Sequence, residues 1–151
     1  MKKLVKENLY ESANSGKRGF STNIEQDTLD NDNFRKVLYT SKNMQLVLMT
    51  LKPGEEIGAE THHTIDQFFR FEAGSGQCVI NDNKYNVSDG DCVIIPAGSK
   101  HNIINTGKVA FQMYTLYSPP NHIDKTVHVT KEQAVEDEKN GKDKYNGKTT
   151  E

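Results

Sequence analysis

Short bursts of apolar residues, each closed by a turn signal, fill the middle of the chain. FRKVLYT (34–40) stops at SKN, and MQLVLMTLK (44–52) stops at Pro53-Gly54. QFFRFEA (67–73) ends at Gly74-Ser75-Gly76, QCVIN (77–81) at Asp82-Asn83, and KYNVS (84–88) follows. DCVIIP (91–96) ends at Pro96-Ala97-Gly98, HNIIN (101–105) at Thr106-Gly107, and VAFQMYTLYS (109–118) at Pro119-Pro120. Runs of this length, rich in β-branched and aromatic residues, predict strands. Seven or more of them with regular turns predict an all-β sandwich or barrel rather than alternating strands and helices. In FQMYTLY one face carries Phe111, Met113, Thr115 and Tyr117, and the other carries Gln112, Tyr114 and Leu116. Both faces are fairly apolar. That suits a strand buried inside a barrel and also covered from outside, and a homodimer would supply the cover.

The ends differ from the middle. Residues 1–19 hold little that packs and are expected to form a flexible arm or a docking strand. Residues 20–130 are expected to form the barrel. In 131–151, a short helix is predicted with Thr130 as its N-cap and Gln133 in a capping box, followed by a disordered tail after Gly141. The first residues contain no apolar stretch longer than Leu4-Val5, so no secretory signal is expected. No run approaches the roughly 18 apolar residues of a membrane span. Cys78 and Cys92 lie inside apolar runs and read as two buried, reduced thiols, which together with the missing signal points to the cytoplasm.

The chain has 151 residues, 34% of them hydrophobic and 26% charged, with a net charge of -2. One domain is the default at this length. No basic stripe is present, so nucleic acid is not an expected partner. There is no phosphate-cradling glycine motif.

Candidate chemistry gathers in two places, GAETHHTIDQFF and PAGSKHNIIN. Glu60 and His62 are two apart and share a strand face. Gln67 begins the returning run, and His101 follows the PAGSK turn. Antiparallel strands can bring these four side chains together. Two imidazoles, a carboxylate and an amide oxygen, without thiolate, suit one divalent ion such as Fe, Mn, Ni or Zn. With neutral imidazoles, only Glu60 is negative. The filled site would then carry about +1 and favour an anionic or enolizable oxygen ligand. Glu60 is also a candidate catalytic base. His63 fits a second register, but that register puts Thr61 at the first ligand position, and alternation points His63 away from Glu60.

These residues resemble the paired motifs of the cupin superfamily. The second motif, G-x5-P-x-G-x2-H-x3-N, is complete in Gly90, Pro96, Gly98, His101 and Asn105. The first, G-x5-H-x-H-x3,4-E-x6-G, is matched in phase by Gly54, Glu60, His62, Gln67 and Gly74. Glu60 stands where the family usually has His, and Gln67 where it usually has Glu. The exchange keeps a single negative charge. The resemblance implies a small double-stranded β-helix (jelly-roll) barrel with Glu60, His62, Gln67 and His101 as metal ligands. It also implies a small-molecule ligand, with isomerase, lyase or dioxygenase chemistry or simple binding.

The remaining conspicuous residues read as structural. Asn105 is expected to satisfy backbone groups at a bend, Phe69 and Phe71 to pack the core, and Tyr114 and Tyr117 to pack. His122 and His128 are expected at the surface. Asp66 would act as a base only if a kink turned it inward.

Overall fold

The computed structural model describes residues 15–151. The stretches predicted from alternation are all strands, with ends shifted by one or two residues. They are β1 (Arg35–Thr40), β2 (Gln45–Leu51), β4 (Asp66–Ala73), β5 (Ser75–Ile80), β6 (Asn83–Ser88), β7 (Cys92–Ile95), β8 (Lys100–Ile104) and β9 (Phe111–Ser118). Two short strands join them, β3 (Glu60–Thr61) and β10 (Val127–His128). One sheet has the order β10-β1-β2-β9-β4-β7, the other β3-β8-β5-β6, and every pairing is antiparallel. The fold is an all-β double-stranded β-helix, with two short helices among the described residues.

The core lies between the two sheets. Alternate residues of β4 and β9 point into it: Phe69, Phe71, Phe111 and Met113 are fully buried, and Phe71 stacks on Phe111 with ring centroids 4.8 Å apart. Gly76 lets strands approach there, because a Cβ at that position would lie 2.3 Å from the Ile104 carbonyl oxygen and 2.4 Å from Phe111. Asn105 ties the end of β8 as expected. Its Nδ2 donates to the Leu51 and Val109 carbonyls, and its Oδ1 accepts from Gly107 N.

Outside the barrel, α1 (Ile24–Asp30) starts at Asn23, whose side chain accepts from Gln26 N. The sequence reading missed this helix, about two turns long with few apolar residues. α2 (Lys131–Lys139) starts at Thr130, whose hydroxyl accepts from Gln133 N. The Gln133 side chain closes the cap one residue early, on Val129 N.

Four expectations need correction or limitation. The tail beyond Gly141 is tied down rather than loose: Thr150 N donates to Thr40 O, and the Glu151 carboxylate accepts from Arg18 N and Gly19 N. These bonds use backbone groups, which the polar composition did not reveal. His122 and His128 are buried, at 4% and 2% exposure, because that tail and α2 cover them. Cys92 is exposed, since Val93 and Ile95 take the inward phase of β7; both cysteines are free thiols. Of the expected N-terminal arm, residues 1–14 lie outside the described residues. Among the described residues, no helix is long and apolar enough to cross a membrane.

Candidate metal centre

Strand register builds the site. Glu60 on β3 stands directly opposite His101 on β8. His62 follows Glu60 with the strand period, and its carbonyl accepts from Gly98 N at 2.8 Å. That bond clips the β3 segment to the PAGSK turn. Gln67 comes from the other sheet, where it pairs with Tyr117 on β9 and Ile95 on β7. The His62 ring meets the Tyr117 ring edge-on at 5.9 Å, which bridges the two sheets.

One ligand atom each of Glu60, His62 and His101 falls in a cluster no wider than 4.8 Å. Glu60 Oε1 is 3.4 Å from His62 Nε2 and 3.7 Å from His101 Nε2. A bond of about 2.1 Å to a central ion separates neighbouring ligands by about 3.4 Å in tetrahedral geometry, so these spacings fit one ion. His101 Nδ1 lies 2.9 Å from Ser99 O and donates to it, which leaves Nε2 as the free lone pair. Such a carbonyl partner fixes the tautomer and aim of a metal-binding imidazole.

Three buried polar atoms at this place have no hydrogen-bond partner: His62 Nε2, His101 Nε2 and Gln67 Oε1. The Gln67 amide donates through Nε2 to Thr115 Oγ1 at 3.0 Å, so its oxygen is the unused end. Leaving a buried polar group unpaired costs about 1–3 kcal/mol. Two of them, on His62 and His101, fall in the cluster with Glu60, as suits a site for something that accepts lone pairs. His63 is exposed and lies outside the cluster. Asp66 is exposed and accepts from Ala97 N at 2.8 Å, a structural role.

Charge follows the same logic. Burial pushes the Glu60 carboxyl up, but the His101 and His62 imidazoles more than offset this and hold it far below the usual carboxylate range. Burial pulls His101 down, yet the Glu60 carboxylate and the Ser99 carbonyl raise it overall. The carboxylate is therefore ionised and available.

A cavity of about 450 Å³ opens beside the cluster, lined by Glu60 and His62 and also by Arg35, His122 and Asp143. The last three form a network that the sequence reading missed. His122 Nδ1 donates to Asp143 Oδ1 at 2.9 Å, and the Tyr117 hydroxyl donates to His122 Nε2 at 3.0 Å. Arg35 Nη1 lies 3.7 Å from Asp143 Oδ2. It also donates to His128 Nδ1 at 3.3 Å, and His128 Nε2 donates onward to Asp137 at 3.0 Å. One signal was present. Arg35 shares a strand face with Val37, an inward position where a charged residue is conspicuous. Nothing in the sequence placed residue 143 beside residue 122.

A cupin-domain family model matches residues 47–117. The crystal structure of BH2720 from Bacillus halodurans is 40% identical, with a TM-score of 0.77, over 82% of this chain and 98% of that one. The chain belongs to the cupin superfamily. Similar chains include YrkC of Bacillus subtilis, 43% identical over 80% of this chain and 68% of its own length. L612 of Acanthamoeba polyphaga mimivirus is 38% identical over 76% of this chain and 74% of its own. Both relatives are uncharacterized proteins. In this cupin, Glu60 and His62 of the first motif and His101 of the second meet in one cluster.

Proposed function

We propose that this cupin holds one divalent ion through Glu60, His62, Gln67 and His101, and that it acts on a small oxygen-rich molecule by isomerase- or lyase-type chemistry. The observation that carries the reading is the convergence of two unpartnered buried imidazole nitrogens on an ionised carboxylate beside a cavity. When bound, a divalent ion supplies Lewis acidity toward a carbonyl or enolate oxygen. The chain's own residues do the rest. His62 and His101 present fixed lone pairs, and Gln67 presents its amide oxygen. Glu60, ionised and with 31% of its side chain exposed at the cavity edge, is the candidate proton acceptor through the carboxylate oxygen that the ion would leave free. Sugars and keto or enol acids are the substrate class this suits, because each offers an enolizable oxygen.

A second reading rests on the same donors. Two histidines and one carboxylate form the set used by non-haem iron oxygenases. With iron or nickel, dioxygenase chemistry of the quercetinase or acireductone type would follow, while a site without turnover would make the protein a metal or small-ligand binder. The Glu60→Gln variant tests the role given to Glu60. It should fold normally, bind metal at least about tenfold more weakly, since charge-assisted contacts are worth about 1.5–3 kcal/mol, and lose proton transfer. Unchanged metal affinity would remove Glu60 from the ligand set.

We further propose that the chain is a homodimer through the outer face of its larger sheet. Cross-strand register lines up Ile94, Phe68, Leu116 and Leu46 there, with Ile94 66% exposed.

A further inference from the structure

Arg35 sits in the wall of the cavity that borders the metal cluster, with its side chain 8% exposed. Its guanidinium is clamped. Nη1 faces Asp143 and His128, and the Cζ atom lies 5.2 Å from the centre of the Phe34 ring. Nε–H is buried and has no acceptor. That N–H belongs to the guanidinium edge it shares with Nη2, the two-pronged edge that receives a carboxylate with two parallel hydrogen bonds. The contacts to Asp143 and His128 both fall on Nη1 and leave this donor unused.

The charge count gives the sign and size of the ligand. Arg35 and Lys144 bring two positive charges to the lining, while Glu60, Glu138 and Asp143 bring three negative ones, a balance of -1. A divalent ion turns that balance to +1. This matches a monoanion rather than a phosphate of charge near two.

We propose that Arg35 is the carboxylate-binding residue of this site, so that the ligand is a small hydroxy or keto acid. Its oxygen donor meets the metal, and its carboxylate meets the Nε–Nη2 edge of Arg35. Asp143 and His128 hold that edge in place. The inference rests on the metal-site reading above and narrows its substrate class.

The test uses the full chain loaded with cobalt(II), whose visible spectrum reports on the metal's ligands. Calorimetry then compares 3-hydroxypropionate with its uncharged counterpart 1,3-propanediol. The parent should bind the acid more tightly than the diol. Arg35→Gln should weaken the acid by about 10- to 100-fold, the worth of a charge-assisted pair, and leave the cobalt spectrum and the diol unchanged. Arg35→Lys keeps the charge without the fork and should fall between the two. Asp143→Asn loosens the clamp that holds the edge in place and should weaken the acid. A folded Arg35→Gln protein that binds the acid like the parent would overturn the proposal. If that variant does not fold, parental affinity in both Arg35→Lys and Asp143→Asn would overturn it instead. A parent that takes up cobalt but does not prefer acid over diol sinks this inference alone. A parent that takes up no cobalt sinks the metal reading and this inference with it.

Discussion

Burial and the nearby Arg35 guanidinium push the His122 imidazole down to about 4, although Asp143 pulls the other way. The folded ring stays neutral while an unfolded one gains its proton near pH 6.5. Acidification through that window therefore favours the unfolded chain, and stability is lost as pH falls from about 6.5 to about 4. The shift corresponds to about 3 kcal/mol at 1.36 kcal/mol per unit. The neighbouring groups act in other windows. His101 is raised, so its contribution is lost above pH 6.5, and Glu60 is lowered, so its contribution is lost below about 4.5. Denaturant melts of the metal-free chain between pH 7 and 4.5 should show a steeper loss in the parent than in His122→Gln. Parallel curves would mean that His122 does not stay neutral. Neither His122 nor Asp143 was legible as a functional residue from the sequence. Each is an ordinary polar residue until the fold brings position 143 to position 122.

The elements fall into two groups by how they were read. Strands such as β4 and β9 carry strict alternation, with Phe69 and Phe71 or Met113 and Tyr117 inward, and that pattern survives in the structure. Glu60, His62 and His101 were legible because motif spacing sets strand register and register sets their meeting. β10 and α1 were not legible, since a two-residue strand and a seven-residue helix exist through tertiary contacts rather than through local pattern. The tail failed for the same reason. Its partners, Thr40, Tyr39 and His122, are distant in sequence. Ending the chain after Lys142 should therefore destabilise the barrel. It strips the buried Arg35 of its counter-charge, and breaking a buried pair costs about 3–5 kcal/mol. Thermal melts of the shortened chain should shift down by several degrees, and an unchanged midpoint would show that the tail contributes nothing.

For the whole molecule, the barrel's larger sheet turns one face to the core and leaves an apolar row outside. Exposed apolar rows of this kind mark association surfaces. Ile94→Glu places a charge in the row at a site that makes no core contact, so the fold should survive. Light scattering coupled to gel filtration should give a dimer for the parent and a monomer for the variant. A monomeric parent would remove the dimer, and a dimeric variant would move the interface elsewhere.

The Glu60–His62–His101 cluster lies at the smaller sheet, Gln67 is on the larger one, and the tail lines the cavity beside the cluster. The central claim is the ion. Elemental analysis of protein purified without a metal-affinity tag, repeated after titration with zinc, manganese, iron and nickel, tests it most directly. The parent should hold about one divalent ion per chain, while His101→Ala should lose it and still melt cooperatively. A parent that binds none of the four, or a His101→Ala protein that keeps full occupancy, would contradict the account.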